Sequence, residues 1–582
     1  MVITSIPCSE VPLTLAGASL MIVADAMSKS SPAARRTKSQ TAIAEAQPSG
    51  VTIPPYVYYT LVALVILTFA LIRFRLRDMP LERDEGEYAY AGQLLLQGIP
   101  PYQLAYNMKF PGTYVAYAPM LAVFGQSAAG VHLGMILVNS AATLLVFLLG
   151  ARLFDRATGV ITCASYALLS TSKSTMGFAA HATHFVVLFA LAGVLLALKA
   201  IETRRSTLYF WSGVLLGLGM MMKQPGVFFI LFGGLYLLRS EPQDPIDWRA
   251  LSRRMGSFAA GCLIPFLLTC LWLWYAGVFH QFWFWTFSYA GQYASSNSVA
   301  TMFDVLGFVA PFLFSTGMWI WIIGAMGLLA FAWAPDTRSK AAFVVGFLLF
   351  SFLAVCPGFY FRPHYFILLL PAVGLCAGLA VSSASRVLYS RPALRMFCFV
   401  PLLLFVVAFC YSIGEQSNFF FSMDPVKACR SIYAPNPFPE AVRIADYLKS
   451  HTQENAGIAV LGSEPEIYFY AHRHSVTGYI YTYELMEKQK FASTMQQQMI
   501  ADIEKSMPQY IVNVDVPFSW MTRADSDLTI FSWAKNYLRD HYELVGVADI
   551  LPQGTKYRWD AEAPAYHPES SNVVWVYKRK PS

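Results

Sequence analysis

Long runs of residues without a charged side chain are the feature that most constrains how this chain can fold. Five such runs are Val57–Ile72, Ala141–Leu149, Phe185–Leu198, Gly256–Tyr275 and Met396–Cys410, and each lies inside a wider apolar segment. Charged residues make up only 13% of the chain, whereas about 25% is usual in soluble domains. An ionisable group at the centre of a bilayer costs roughly 3 kcal/mol or more. The chain is therefore predicted to be a polytopic α-helical membrane protein.

The apolar segments predict about eleven transmembrane helices, because about twenty apolar residues cross a bilayer. They lie near residues 56–74, 128–150, 157–172, 181–199, 207–222, 225–239, 257–277, 305–330, 341–356, 364–383 and 396–414. If the N-terminus is cytoplasmic, the inner loops are Arg152–Arg156, Lys199–Arg205, Arg239–Arg254, Arg338–Lys340 and Arg386–Arg395. All are basic, as cytoplasmic loops usually are, so we expect this orientation in the plasma (inner) membrane. The net charge of +7 is thus spread over short loops and does not indicate a nucleic-acid partner.

Three regions are predicted. Residues 1–54 are expected to be a disordered cytoplasmic tail, and residues 55–415 a transmembrane domain whose first outer loop covers 75–127. Residues 416–582 are polar, and helical periods at 439–450, 491–506 and 531–542 alternate with strand-like runs at 457–461, 510–514 and 573–577. This alternation predicts an extracytoplasmic α/β domain.

The first outer loop departs from the charge rule, because Arg75, Arg77 and Arg83 lie on its predicted outer side. Because Lys and Arg are usually enriched in cytoplasmic loops, arginines on the outer side are expected to have a specific local role. Next in the loop comes the acidic run Arg83-Asp84-Glu85-Gly86-Glu87-Tyr88, at the start of a predicted helix that Gly98 and Pro100 stop. By local rules Asp84 is the N-cap of this helix and Glu87 completes a capping box.

A functional interpretation of the same carboxylates comes from the chemistry of sugar transfer. A phosphate-linked sugar has a good leaving group, so the main requirement is a carboxylate that activates the acceptor hydroxyl. The leaving phosphate needs cations, and Lys109, Lys223 and Arg362 all lie at predicted outer ends of spans beside Pro or Gly. Arginine suits bidentate phosphate contacts, while lysine acts as a point charge. The alternative for each cation is a side chain that reaches lipid head groups.

These motifs resemble the protein O-mannosyltransferase-like (family 39 type) glycosyltransferases of the C-type glycosyltransferase superfamily. The resemblance rests on residues 83–88, Lys-Phe-Pro-Gly at 109–112 and the Gly150–Gly159 loop, with weaker likeness at 222–226 and 362–365. It extends over about residues 55–415. The resemblance implies a C-type fold and a polyprenyl-phosphate sugar donor. It also implies inversion at the anomeric carbon and an outward-facing site.

The resemblance also implies roles for particular residues. Asp84 would be the catalytic base with Glu85 as its catalytic neighbour, and Lys109 and Arg362, with Lys223, would bind the donor phosphate. Many relatives carry a second acidic residue where this chain has Ala180–His184, so His184 is expected either to replace it or to be structural. Other possible substrate contacts are Glu87, Tyr88, His364 and Tyr365. We expect no cofactor and no essential metal ion, because cations already supply positive charge and no ligand cluster is obvious.

Two other segments could contribute to a site. His280–Tyr293 is rich in Trp and Tyr, which predicts an interfacial helix or, alternatively, a gate over a lipid donor. Glu464-Pro465-Glu466 follows a strand, where α/β domains often bind ligands, although a structural turn is the simpler interpretation.

The sequence thus predicts a membrane glycosyltransferase whose partners are a polyprenyl-phosphate-linked sugar, membrane lipids and an acceptor glycolipid, polysaccharide or protein. A polysaccharide ligase or polymerase is one alternative, although it should depend on Arg and His in a large late loop. A lipid-linked sugar transporter is another, although it should contain internal repeats, and the two halves of this sequence do not clearly repeat.

Overall fold

The computed structural model describes residues 53–241, 246–294 and 299–581, and Pro55–Ser582 form one compact unit. The predicted N-terminal tail lies almost wholly outside the described residues.

Seven helical segments in these parts are long and apolar enough to span a membrane. They are Pro55–Arg75, Ala128–Leu153, Ala182–Thr203, Trp248–Tyr275, Pro335–Val355, Leu370–Ser390 and Pro392–Gly414. An eighth span results if Met302–Leu313 and Met318–Trp333, bent by 118° at their junction, are counted as one. The remaining three predicted spans correspond to shorter helices, namely Arg156–Leu169, Ser206–Met222 and Gln224–Arg239. The predicted fold class is confirmed.

The loop between the first two spans contains the helices Arg83–Leu96 and Gly112–Phe124. We call Arg83–Leu96 the motif helix. The predicted aromatic segment forms a helix at Phe279–Trp283, a π-helix at Phe284–Tyr289 and a helix at Ala290–Ala294. Short 3₁₀ turns at Lys173–Thr175, Pro357–Phe359 and Pro363–Leu368 border the same end of the bundle as the motif helix, and Asn418–Ser422 is a second π-helix.

Two arginines at the end of the first span, Arg73 and Arg75, donate to backbone carbonyls, and Arg75 is one of the three that break the charge rule. Arg73 is buried and donates to the carbonyl oxygens of Ser170, Gly177 and Phe178 at 2.7–2.9 Å. Arg75 donates to the carbonyls of Phe419, Phe420 and Met423 at 2.6–2.7 Å. Loop carbonyls without a regular secondary-structure partner need such donors when they are buried. The local task expected for these cations is therefore to fix neighbouring loops.

A six-stranded mixed sheet forms the core of the C-terminal domain. Its strands are β1 Gly457–Leu461, β2 His474–Ser475, β3 Tyr510–Asp515, β4 Tyr542–Leu551, β5 Gly554–Trp559 and β6 Val573–Arg579, in the order β2-β1-β3-β6-β4-β5. β1 is parallel to β2 and β3, and the remaining pairs are antiparallel. The helices are Pro425–Tyr433, Phe438–His451, Glu466–Ala471, Tyr483–Met486, Ala492–Ser506, Pro517–Trp520 and Thr529–His541. All six predicted helices and strands are present, with boundaries within a few residues of those predicted, whereas β2, β4 and β5 were not predicted.

One apolar cluster runs without interruption from the membrane helices through the motif helix into the sheet. Val131 of a span, Tyr88 of the motif helix, Tyr468 after β1 and Val512 of β3 all belong to it, and each is at most 1% exposed. Because buried side chains pack as densely as a crystal, a shared core fixes the parts it joins. The first loop, which carries the acidic motif, is therefore packed between the membrane helices and the sheet.

Candidate active site

The motif helix begins earlier than its sequence suggests. Glu82 is the N-cap and forms a capping box with Glu85: Glu82 Oε1 accepts from Glu85 N at 3.0 Å, and Glu85 Oε2 accepts from Glu82 N at 3.2 Å. The predicted capping box of Asp84 and Glu87 is therefore wrong. Since the neighbouring pair of acids performs the capping, the carboxylates of Asp84 and Glu87 can turn to other partners.

Lys109 joins these two carboxylates. Its Nζ lies 2.9 Å from Asp84 Oδ1 and 2.5 Å from Glu87 Oε2. Tyr114 donates to the other oxygen of Glu87 at 2.5 Å. Tyr481, which lies 397 positions from the motif in the C-terminal domain, also donates to Asp84 Oδ1, at 2.9 Å. Asp84 thus receives bonds from both the loop and the C-terminal domain on one oxygen.

The surroundings of the two carboxyls shift their pKa values in opposite directions. Burial alone would raise the pKa of Asp84, but the Lys109 ammonium holds that pKa well below its usual value. Burial, with the Asp84 charge nearby, raises the pKa of Glu87 despite its contact with Lys109. Asp84 is therefore a carboxylate at neutral pH, as a proton acceptor must be.

A first cavity of about 180 Å³ opens beside Asp84 and is lined by cations. Lys109, Lys223 and Arg362 all contribute to its wall. Lys223 Nζ lies 4.0 Å from the centre of the Tyr365 ring. Burial would raise the pKa of Tyr365, but Lys223 and Arg362 lower it. The apolar part of the wall includes Ala290, Ala354 and Pro357.

A second, larger cavity of about 550 Å³ adjoins Asp84 and is lined by residues of the first loop, of the membrane domain and of the C-terminal domain. Asp84, Arg362, His364, Tyr481, Tyr483 and Glu487 border both cavities. His181 borders the second alone, and its Nδ1 lies 3.9 Å from Asp84 Oδ2. In the described parts of the chain, no hydrogen bond reaches Oδ2. One oxygen of Asp84 is thus bound to Lys109, and the other is available beside the second cavity.

Asp84, His181 and His364 could together hold a metal ion, since their ligand atoms all lie within 4.8 Å of one another. The two imidazoles stack at 4.1 Å between ring centroids. Burial lowers the pKa of His181 to about 4 and that of His364 well below its usual value, so both rings are neutral at pH 7 and able to coordinate. One carboxylate and two imidazoles suit a transition metal such as Zn²⁺. The sequence-based expectation of no essential metal stays a prediction.

Several predicted site residues lie outside both cavities. Glu85 is fully buried, and its Oε1 contacts His132 Nε2 at 3.1 Å and accepts from Ala180 N at 2.6 Å. His184 bonds the carbonyl of Gly177 at 2.9 Å through Nε2. Tyr88 is buried with its ring 4.7 Å from Lys109 Nζ. These contacts favour structural roles for Glu85 and His184, and the catalytic role of Glu85 stays a prediction.

Sequence reasoning missed the contribution of the segment after β2. Tyr481, Tyr483, Glu484 and Glu487 all line the first cavity. Glu484 is 6% exposed, its Oε2 has no hydrogen-bond partner, and burial raises its pKa to about 8. Glu487 accepts from Tyr289 OH at 2.7 Å. Alternating tyrosines with two nearby acids at 479–487 were the available signal, but nothing local linked them to a loop near residue 84.

Gly86 in the middle of the motif allows the C-terminal domain to approach. A Cβ at this position would lie 2.6 Å from Glu466 Cβ and 2.7 Å from Glu466 N. Real Cβ atoms do not approach backbone so closely, so a larger residue would push the motif helix away from the turn after β1. The motif therefore combines one carboxylate that borders the cavities, Asp84, with a glycine for the domain contact, whereas Glu87 is fully buried and lines neither cavity.

The sequence and the fold both resemble known glycosyltransferases. The sequence model of the dolichyl-phosphate-mannose-protein mannosyltransferase family matches residues 111–274, and no curated protein matches the chain. The structure of ArnT from Cupriavidus metallidurans bound to undecaprenyl phosphate is 16% identical and has a TM-score of 0.55, with 90% of this chain and 98% of that chain covered. The structure of AglB from Archaeoglobus fulgidus, in complex with an inhibitory peptide and a dolichol-phosphate, is 14% identical and has a TM-score of 0.49, with 90% of this chain and 76% of that chain covered.

For the arabinofuranosyltransferase AftD from Mycobacteria, the identity is 12% and the TM-score 0.47, with 91% of this chain and 40% of that chain covered. The ArnT comparison covers both the helical bundle and the sheet domain, so it supports the fold of the whole chain. The family match independently covers the segment that begins just after Lys109. These findings confirm the predicted resemblance to membrane glycosyltransferases: the chain shares the fold of ArnT and is similar over residues 111–274 to the dolichyl-phosphate-mannose-protein mannosyltransferase family.

Proposed function

We propose that this protein transfers a sugar from a polyprenyl-phosphate carrier to an acceptor hydroxyl on the extracytoplasmic side, with inversion at the anomeric carbon and with Asp84 as the general base. The observation that carries the proposal is the position of Asp84 between two cavities. Three cations line one of them, and the unbonded oxygen Oδ2 lies beside the other.

The first cavity suits the donor. Lys109, Lys223 and Arg362 supply positive charge around one small space, and a phosphate that leaves with an extra negative charge is stabilised by such fixed cations. Ala354 and Pro357 on the same wall offer an apolar surface to the first isoprene units. The donor class is supported by the family name, dolichyl-phosphate-mannose-protein mannosyltransferase, and by the undecaprenyl phosphate bound to ArnT.

The second cavity suits the acceptor, because it reaches Asp84 from the side of Oδ2. In the proposed reaction the acceptor hydroxyl gives its proton to this oxygen while its own oxygen forms a bond to the anomeric carbon. The bond from that carbon to the phosphate oxygen breaks, and its electron pair stays on the polyprenyl phosphate. Attack from the face opposite the leaving group inverts the configuration.

Removal of the base tests the proposal. Asp84→Asn keeps the shape of the side chain but cannot accept the proton. In purified full-length protein supplied with radiolabelled undecaprenyl-phosphate mannose and the extracted native membrane as acceptor source, we expect transfer to fall by about 10²–10⁴-fold. Binding of the donor to Asp84→Asn should remain measurable, because the variant keeps Lys109, Lys223 and Arg362.

Asp78→Asn is the matched control, since Asp78 lies in the same loop, is exposed, and forms its one ion pair within the described residues with Arg77, at 3.7 Å. Its transfer rate should equal that of the natural protein. Full transfer by Asp84→Asn would contradict the base assignment. Movement of intact donor across a vesicle membrane without any transfer would favour the transporter alternative.

A further inference from the structure

The C-terminal domain contacts the motif helix through the loops that follow β1 and β3. β1 and β3 are adjacent and parallel, and Ser463 and Glu464 follow the first of them while Ser519 follows the second. The carboxyl ends of parallel strands are where α/β domains usually bind ligands. Here this edge of the sheet is occupied by a side chain of the same protein, Arg83, which immediately precedes Asp84.

Every nitrogen of the Arg83 guanidinium has a partner, and all these partners lie in the C-terminal domain. Nε donates to the carbonyl of Ser463 at 2.5 Å, and Nη1 donates to Tyr483 OH at 2.5 Å. Nη2 lies 2.8 Å from Glu464 Oε1 and 3.1 Å from Asn436 Oδ1. A fully bonded guanidinium fixes both the position and the orientation of the residue that carries it.

Glu464 is held as firmly as its partner. It is fully buried, and its second oxygen accepts from Ser519 Oγ at 2.6 Å. Ser519 Oγ in turn accepts from the backbone N–H of Ser463 at 2.9 Å. Glu464 borders neither cavity in the described parts of the chain, so it has no direct route to a substrate.

The same hydrogen-bond network reaches the base from its other side. Thr482 N donates to Ser463 Oγ at 2.9 Å, and Thr482 Oγ1 donates to the carbonyl of Ser519 at 3.0 Å. Tyr481, the residue before it, donates to Asp84. Tyr483, the residue after it, binds Arg83. The turn after β1 therefore fixes both the helix that carries Asp84 and the tyrosine that orients its carboxylate.

We propose that Glu464 is a positioning residue: directly through Arg83, and indirectly through Ser519 and Thr482, it aligns Asp84 with its two cavities, so that the carboxyl edge of the C-terminal sheet is a built-in support of the catalytic loop. The consequence for activity rests on the proposed function of Asp84. The structural consequence, a motif helix held in place by the C-terminal domain, does not depend on that function.

Glu464→Gln in the full-length protein tests both consequences. It leaves Arg83 as a buried cation without its carboxylate. We expect faster amide hydrogen exchange in residues 83–96. We also expect kcat to fall by about 10²-fold, as for a base misplaced by about 1 Å, with KM for undecaprenyl-phosphate mannose unchanged. The double variant Arg83→Gln with Glu464→Gln should recover part of the loss, because no lone charge remains.

Asp549→Asn is the matched control. Asp549 is also a fully buried carboxylate of the C-terminal domain, but it lies on β4, which is two strands away from β3. It accepts hydrogen bonds from Tyr566, Glu569 and Ser570. Its loss should lower the melting temperature without changing exchange at residues 83–96 or kcat per folded molecule. Tyr483→Phe, which removes one contact of Arg83, is the milder variant if Glu464→Gln does not fold.

If amide hydrogen exchange at residues 83–96 were unchanged in Glu464→Gln, the proposal would be overturned. It would also be overturned if Asp549→Asn made exchange at these residues faster to the same extent. Faster exchange with unaltered kcat would overturn it too, because the helix would then be held without any effect on the base. If the natural protein transferred no sugar from any donor, the proposed function would fail, and the exchange result would still decide whether Glu464 holds the motif helix.

Discussion

Carboxyl groups in this site differ in charge because of what surrounds each side chain. Lys109 keeps Asp84 ionised, whereas burial raises the pKa of Glu484 to about 8. Both line the first cavity. A charged acid suits proton abstraction, and a neutral acid can approach an anionic phosphate without repulsion.

Glu484 therefore leads to a prediction about pH. Below about pH 8 its carboxyl is neutral, and above that pH it becomes an anion beside the donor site. The natural protein should show a KM for undecaprenyl-phosphate mannose that rises above about pH 8. Glu484→Gln, which stays neutral, should have a similar KM at pH 7 and no such rise. Steady-state kinetics between pH 6 and 9.5 measures this, and an identical rise in both proteins would exclude Glu484 as its cause.

The group Asp84, His181 and His364 leads to a prediction about metal removal. We expect transfer to survive treatment with a strong chelator, because Lys109, Lys223 and Arg362 already supply the positive charge that the leaving phosphate needs. Activity before and after chelation is the measurement. A loss that Zn²⁺ or Mn²⁺ restores would contradict the prediction. If His181→Ala prevented that restoration, the metal would be assigned to this group.

At the scale of elements, the motif helix illustrates how far local rules extend. The acidic run and its stop signals located the helix to within a few residues, and the observed helix ends at Leu96 as Gly98 suggested. Which acids cap it was predicted incorrectly, because Glu82 was not considered and i, i+3 spacing fits more than one pair. β5 was missed because it is a short edge strand in which no residue is fully buried.

Gly86→Ala tests the contact between the motif helix and the turn after β1. An added Cβ would meet Glu466 backbone at 2.7 Å, and overpacking of this kind typically costs about 1–3 kcal/mol. We expect a lower melting temperature and slower transfer. Gly256→Ala is the control, since a Cβ there meets nothing within 4 Å and alanine favours a helix by about 1 kcal/mol. Equal melting temperatures for the two variants would contradict the contact.

At the scale of the whole molecule, the basic loops and the C-terminal domain are predicted to lie on opposite sides of the membrane. Single cysteines at two exposed serines test this orientation, one at Ser450 in the C-terminal domain and one at Ser339 in a basic loop, with the native cysteines replaced. In intact cells a membrane-impermeant maleimide should label Ser450→Cys but label Ser339→Cys only after lysis. The reverse pattern would place the active site in the cytoplasm.

The sequence by itself determined the helical membrane bundle, the sheet domain, the acidic motif and the three cations, because apolar length, periodicity and short motifs are local properties. Only the tertiary structure decided which carboxylates face the cavities, that His181 and His364 stack beside Asp84, and that residues 481–487 complete the site. The bond from Tyr481 to Asp84 joins residues 397 positions apart. No local pattern encodes such a contact, since the contact depends on how the shared apolar core packs the sheet against the first loop.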